Sequence, residues 1–256
     1  MGICMPQVDR QGAAAEASGM KTDTICGLSA VAALFERRPE AVQRLFYLPE
    51  RRAEVGAWCA VLAQAKKPYR MVEKAELRTV SATTHHGGVA AIASARRVPI
   101  FDAAAPPRGR LLLVLDGIGN PHNLGAIARS AAFFGVPAML IGEAPGNALP
   151  SDAAYRTSEG GLEHLSIWRT RDLPAALSAL DPYYRTVATS LSADAMKLAD
   201  LPRDRPIALV LGGEEHGVSD SVLASCRRTV RIPGRKAVQS LNVAQAAAVF
   251  LHALAG

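Results

Sequence analysis

The sequence predicts an α/β protein whose C-terminal part is a mostly parallel sheet covered on both faces by helices. Three observations predict it. LLLVL at 111–115 and IALVLGG at 207–213 are unbroken apolar runs of strand length, as strands buried on both faces require. Segments of helical spacing alternate with such runs from residue 109 onward. Gly-rich polar stretches follow several of the strands, where ligands of such sheets bind.

Residues 1–20 are small, polar and aperiodic, and are expected to form a mobile extension. From Ile25 to Phe35 the apolar positions recur at helical spacing, and a second helix is expected after Pro39 over EAVQRLFYL. A third runs through AEVGAWCAVLAQA and ends before the strand-like YRMV, so residues 21–98 read as a small α/β unit. FDAAAPPRGR is rich in Pro and Ala, which suits a linker over 99–108. In the domain that follows, 109–256, NLGAIARSAAFF reads as a helix with Asn123 as N-cap and Gly135 as its stop. VPAMLIG, TVATS and TVRIP read as further strands, and SDSVLASC and SLNVAQAAAVFLHALA as further helices.

Composition narrows the function classes. The chain has 256 residues, 49% of them hydrophobic, enough for a well-buried core. No apolar run approaches the roughly 20 residues that span a bilayer, and no secretion signal opens the sequence, so a cytoplasmic protein is expected. Its four cysteines form no CxxC pair, which argues against zinc and against a disulfide framework. The net charge is +6, and it is uneven: residues 21–98 hold 13 Lys or Arg against 7 Asp or Glu, while 99–256 hold 15 against 14. That surplus in the N-terminal unit would attract a polyphosphate backbone.

Three polar segments are candidates for chemistry. In 116–130, DGIGNPHNLGAIARS, Asn123 and Arg129 place an amide and a cation near a helix start. In 211–220, LGGEEHGVSD, Gly212, Gly213 and Gly217 allow main chain to come close to a ligand. In 232–245, IPGRKAVQSLNVAQ, a basic loop leads to Ser240 and Asn242 at the start of a helix. Glu214, Glu215 and His216 are consecutive and so point in different directions, and no metal is expected. His85 and His86, beside Gly87 and Gly88, read as loop residues that pack or touch a ligand, and His122 as no catalyst.

LDGIGNPHNLGAIARSAAFFGV, VLGGEEHGVSD and IPGRKAVQSLNVAQAAAVFL resemble, in order and spacing, the three motifs of the SpoU/TrmH family of 2′-O-ribose RNA methyltransferases in the SPOUT superfamily. AAYRTSEGGLEHL is similar to a further family segment. ICGLSAV and HHGGVAAIA resemble the small L30e-like substrate-binding domain that precedes the catalytic domain in many members. The resemblance implies S-adenosylmethionine as cofactor, tRNA or rRNA as substrate, a trefoil knot, and a homodimer whose active site draws on both subunits. It implies that main chain around Leu211, Gly212, Gly213, Gly217, Ile232 and Leu241 holds the cofactor. It further implies Arg129 as the catalytic arginine, with Asn123, Glu214, Ser240 and Asn242 shaping the site. The family assigns the arginine as base. A guanidinium keeps its proton, however, so pairing with a phosphate and stabilising the 2′-oxyanion suits it better. The third motif departs from the family pattern: Gly234, Arg235 and Lys236 follow Ile-Pro where a Met is usual, which alters the substrate side.

Two other classes are open to test. A nicotinamide-dependent enzyme would share the α/β pattern, but GIGNPHNLG is not GxGxxG and no GxxxxGK[ST] loop is present. An RNA-binding protein that kept the fold and lost turnover would not be expected to retain Asn123, Arg129, Glu214, Ser240 and Asn242.

Overall fold

The computed structural model describes residues 21–144, 146–235 and 237–255. The expected mobile extension, 1–20, and Lys236 lie outside them. The N-terminal unit runs β1 (Thr22–Cys26), α1 (Leu28–Arg37), β2 (Val42–Tyr47), α2 (Arg52–Gln64), β3 (Tyr69–Met71), α3 (Lys74–Ser81) and β4 (Val89–Ser94). Its sheet has the order β1-β4-β2-β3, antiparallel around β4 and parallel between β2 and β3.

Two expectations change here. Ile25 and Cys26 end a strand, and the helix begins at Leu28, after Gly27 turns the chain at φ +95°. The helix expected after Pro39 is a short 3₁₀ turn followed by β2. A register shift between Val42 and Arg44 puts both Val42 and Leu45 in the core, a spacing of three that imitates a helix.

The C-terminal unit runs β5 (Leu111–Asp116), α4 (Pro121–Phe133), β6 (Ala138–Gly142), α5 (Asp152–Ser158), β7 (Ser166–Thr170), α6 (Leu173–Leu180), β8 (Arg185–Thr189), β9 (Met196–Lys197), β10 (Ile207–Gly212), α7 (Asp220–Ala224), β11 (Arg228–Arg231) and α8 (Val243–Ala255). Its seven strands take the order β7-β6-β5-β10-β8-β11-β9, and every paired neighbour is parallel. All six residues of β10 are buried, as are Leu111 to Leu115 of β5, which is why those runs carry no polar alternation. From β5 the chain adds strands outward to β6 and β7, then crosses to the other side, so the carboxyl ends of β5 and β10 border the place where strand order reverses. Ligands of such sheets bind at that place.

The expected linker is docked. Ile100 bridges to Arg169 of β7, Tyr184 donates its hydroxyl to the Pro107 carbonyl at 2.8 Å, and the Arg108 guanidinium lies 4.3 Å from the Tyr183 ring centre. No helix among the described residues is long and apolar enough to cross a membrane.

Candidate active site

β5 delivers Asp116 to the carboxyl edge, and Gly117, at φ +74°, turns the chain away from it. The helix that follows is capped by Asn120, whose side chain accepts from the His122 N–H at 2.9 Å; Pro121 takes the first helical position. The expected cap, Asn123, is thus inside the first turn, and its carboxamide is left for another partner. That partner is Asn242, whose Nδ2 donates to Asn123 Oδ1 at 3.2 Å.

The second segment meets the first at the end of β10. Gly213 N–H donates to the Asp116 carbonyl at 2.9 Å, and Ser219 donates both its N–H and its hydroxyl to Asp116 Oδ2 at 2.8 Å. A Cβ on Gly213 would overlap the Gly117 carbonyl, and one on Gly212 the Gly217–Val218 peptide. These two glycines therefore make room for neighbouring main chain of the protein itself. Gly217 takes φ +68°, and Glu214, Glu215 and His216 are exposed on the turn between.

In the third segment Ile232 is half-buried, while Ser240 and Leu241 are exposed. Asn242 is the residue that caps α8: its Oδ1 accepts from Ala244 N–H and its carbonyl from Ala246 N–H, both at 2.9 Å. Ser240, expected with Asn242 at the start of this helix, stands two residues ahead of the cap. It is free to face a ligand.

Asp116 is thus joined to Gly213 and Ser219, and Asn123 to Asn242, so the first segment touches each of the other two, with Leu211 buried on the α4 and α8 side of the sheet. Arg129 stands apart. Six residues beyond Asn123, it lies about 9 Å farther along the helix and about 240° around it. Its Nη1 donates to Glu159 Oε1 at 2.9 Å, and both side chains are exposed. Asp116, Ser219 and Glu159 are the residues that sequence reasoning missed. A carboxylate ending an apolar strand was a signal for Asp116; the other two have none.

A cofactor with a purine and a carboxylate needs main-chain donors and an apolar surface at this edge. Among the hydrogen bonds of the described residues, the N–H groups of Glu214 and Leu241 have no protein acceptor. The Leu241 side chain is 46% exposed, an apolar surface for a ring. Burial first, then the Asp116 carboxylate, push the Cys226 thiol up to about 12.

Comparison with known proteins places this geometry. A model of the SpoU rRNA Methylase family matches residues 110–252, and one of RNA 2′-O ribose methyltransferase substrate binding matches 24–99. An uncharacterized tRNA/rRNA methyltransferase of Escherichia coli, YfiF, is 33% identical over 89% of this chain, which spans 66% of that relative's length. The 23S rRNA (guanosine-2′-O-)-methyltransferase RlmB of Acinetobacter baylyi is 29% identical over 91% of this chain and 96% of its own. An AdoMet-bound rRNA methyltransferase of Sinorhizobium meliloti superposes with a TM-score of 0.76, at 22% identity, over 91% of this chain and 86% of its own. With the family model covering more than half of the chain, and the α/β architecture and substrate-binding unit in place, the protein belongs to the SpoU rRNA methylase family.

Proposed function

We propose that the chain transfers a methyl group from S-adenosylmethionine to a ribose 2′-hydroxyl of tRNA or rRNA, as a homodimer. The observation that carries this reading is that the first motif segment, which follows β5, contacts the second through Asp116–Ser219 and the third through Asn123–Asn242. S-adenosylmethionine supplies an electrophilic methyl group on a sulfonium. The free main-chain N–H groups of Glu214 and Leu241 would hold it, with Leu211, Gly212, Gly213, Gly217 and Ile232 shaping the pocket. Methyl transfer is an in-line displacement, so alignment of the hydroxyl supplies much of the rate. Glu214, Ser240 and the Asn123–Asn242 pair would orient the ribose. Arg129 would pair with an RNA phosphate and stabilise charge on the 2′-oxygen.

Two features support a dimer. Arg129 points away from the Asn123 face of its own protomer, as a residue serving a partner's site would. Phe133 of α4 is 82% exposed and Val249 of α8 is also exposed, on two helices packed together. The trefoil knot belongs to the same proposal and rests on the family resemblance; the tight turn in which Gly212 packs on Gly217–Val218 and Gly213 on Gly117 lies where it would form.

The basic surplus of residues 21–98 suits RNA in the N-terminal unit. Incubation of the protein with methyl-labelled cofactor and unmodified total RNA tests the reading. Label in alkali-resistant dinucleotides is the expected result; no label in RNA rejects it.

A further inference from the structure

Between α5 and β7 the chain is gripped from both sides. On one side is the N-terminal unit. Arg38 donates to Glu163 through Nε at 2.8 Å and Nη2 at 2.6 Å, and the Glu163 side chain is only 1% exposed. Arg96 donates to the Leu162 and Leu165 carbonyls, and Thr24 N–H donates to Asp152 Oδ1 at 2.8 Å. Gly160 sits so close to α1 that a Cβ would lie 2.9 Å from the Ala33 methyl and 3.0 Å from the Ser29 carbonyl.

On the other side is α4. A Cβ on Gly161 would lie 2.8 Å from both the Ala128 carbonyl oxygen and the Arg129 Cα. Immediately before these two contacts Glu159 takes the left-handed conformation, at φ +46° and ψ +42°, with its carboxylate on Arg129. A non-glycine residue adopts that conformation infrequently, and here it ends α5 and turns the chain into the Gly160–Gly161 contacts. An exposed ion pair stabilises a fold by little, so the Glu159 contact, with Gly161 packed on the Arg129 main chain, bears on where the arginine is placed more than on stability.

We propose that Glu159 is a positioning residue for Arg129, and that the N-terminal unit sets its place through Arg38–Glu163 and the Gly160 contact. The inference rests on the catalytic role proposed for Arg129. The substrate-binding unit is then clamped to the catalytic arginine, and the turn 159–163 is the part that both share.

The test is the steady-state rate of methyl transfer to total RNA at saturating cofactor, with thermal unfolding measured alongside. Glu159→Gln keeps the shape and removes the charge. Turnover is expected to fall about tenfold with the KM for RNA changed less than threefold and the melting temperature unchanged, and Glu159→Asp should recover part of the rate. Arg38→Lys, which keeps charge but loses the two-pronged contact, should lower turnover as well. Combining it with Glu159→Gln should lower turnover no further than Glu159→Gln alone. Unchanged or raised turnover in Glu159→Gln, an inert Arg38→Lys, or additive effects of the pair would overturn the proposal. A wild-type protein without methyl transfer would instead reject the function on which it rests.

Discussion

Asn242 donates to Asn123 across 3.2 Å, joining residues 119 positions apart, and each of the two lies at the start of a helix. Asn242 also caps its own helix, so one side chain does two things. Asn242→Ala should cost roughly 1 kcal/mol from the cap alone and loosen the segment around Ser240 and Leu241. Calorimetric titration with S-adenosylmethionine should show weaker binding; unaltered affinity would remove Asn242 from the site.

Arg129 is exposed and held by one carboxylate, so its replacement should leave the fold intact. Arg129→Ala is expected to reduce methyl transfer by about 100-fold or more, as loss of a group that stabilises developing charge does. Arg129→Lys should fail almost as badly, because an ammonium cannot make the planar contact. Near-native turnover in the lysine variant would reject that role.

The glycines of the second segment separate two kinds of position. Gly213→Ala drives a methyl into the Gly117 carbonyl and should cost about 2–3 kcal/mol, or roughly 5–10 °C in melting temperature. Gly234→Ala meets no atom within 4 Å and should melt with the wild type. Equal melting of the two variants would contradict the packing of Gly213 on Gly117.

Phe133 stacks edge-on against Phe134, with 5.1 Å between ring centres, and presents its other side outward. Phe133→Glu should convert a dimer to a monomer in sedimentation and abolish methyl transfer. A monomeric wild type, or an active monomeric variant, would remove the partner from the site.

His86 is 4% exposed, its Nδ1 accepts from Gly88 N–H at 3.1 Å, and its Nε2 has no partner among the described residues. Burial first, and Lys74 next, hold its pKa below the ordinary 6.5. The unfolded chain therefore takes up the proton first. Stability is full above the ordinary value and declines as pH falls below it toward the lowered one. His86→Asn should flatten that slope in pH-dependent denaturation, and a slope identical to wild type would exclude His86 as its source.

The large sheet was legible because strands buried on both faces cannot hide: Leu111–Leu115 and Ile207–Gly212 carry no polar residue. β2 was not, because the irregularity between Val42 and Arg44 puts buried side chains three apart. The start of α4 was misjudged by three residues, since Asn120 and Asn123 are both good caps and Pro121 decides between them. The motif segments of the site were readable as local patterns. Their contacts were not: Asp116 and Ser219 are 103 positions apart, and Glu159 reaches Arg129 only because α5 packs on α4 at Gly125. Such pairings depend on tertiary packing.

The most direct test of the account is a ribose-methylation map of RNA incubated with S-adenosylmethionine and either the wild type or Arg129→Ala. The account predicts a 2′-O-methylated nucleotide that appears with the wild type and is missing with the variant. Methyl groups found on bases, or the same ribose methylated by both proteins, would contradict it.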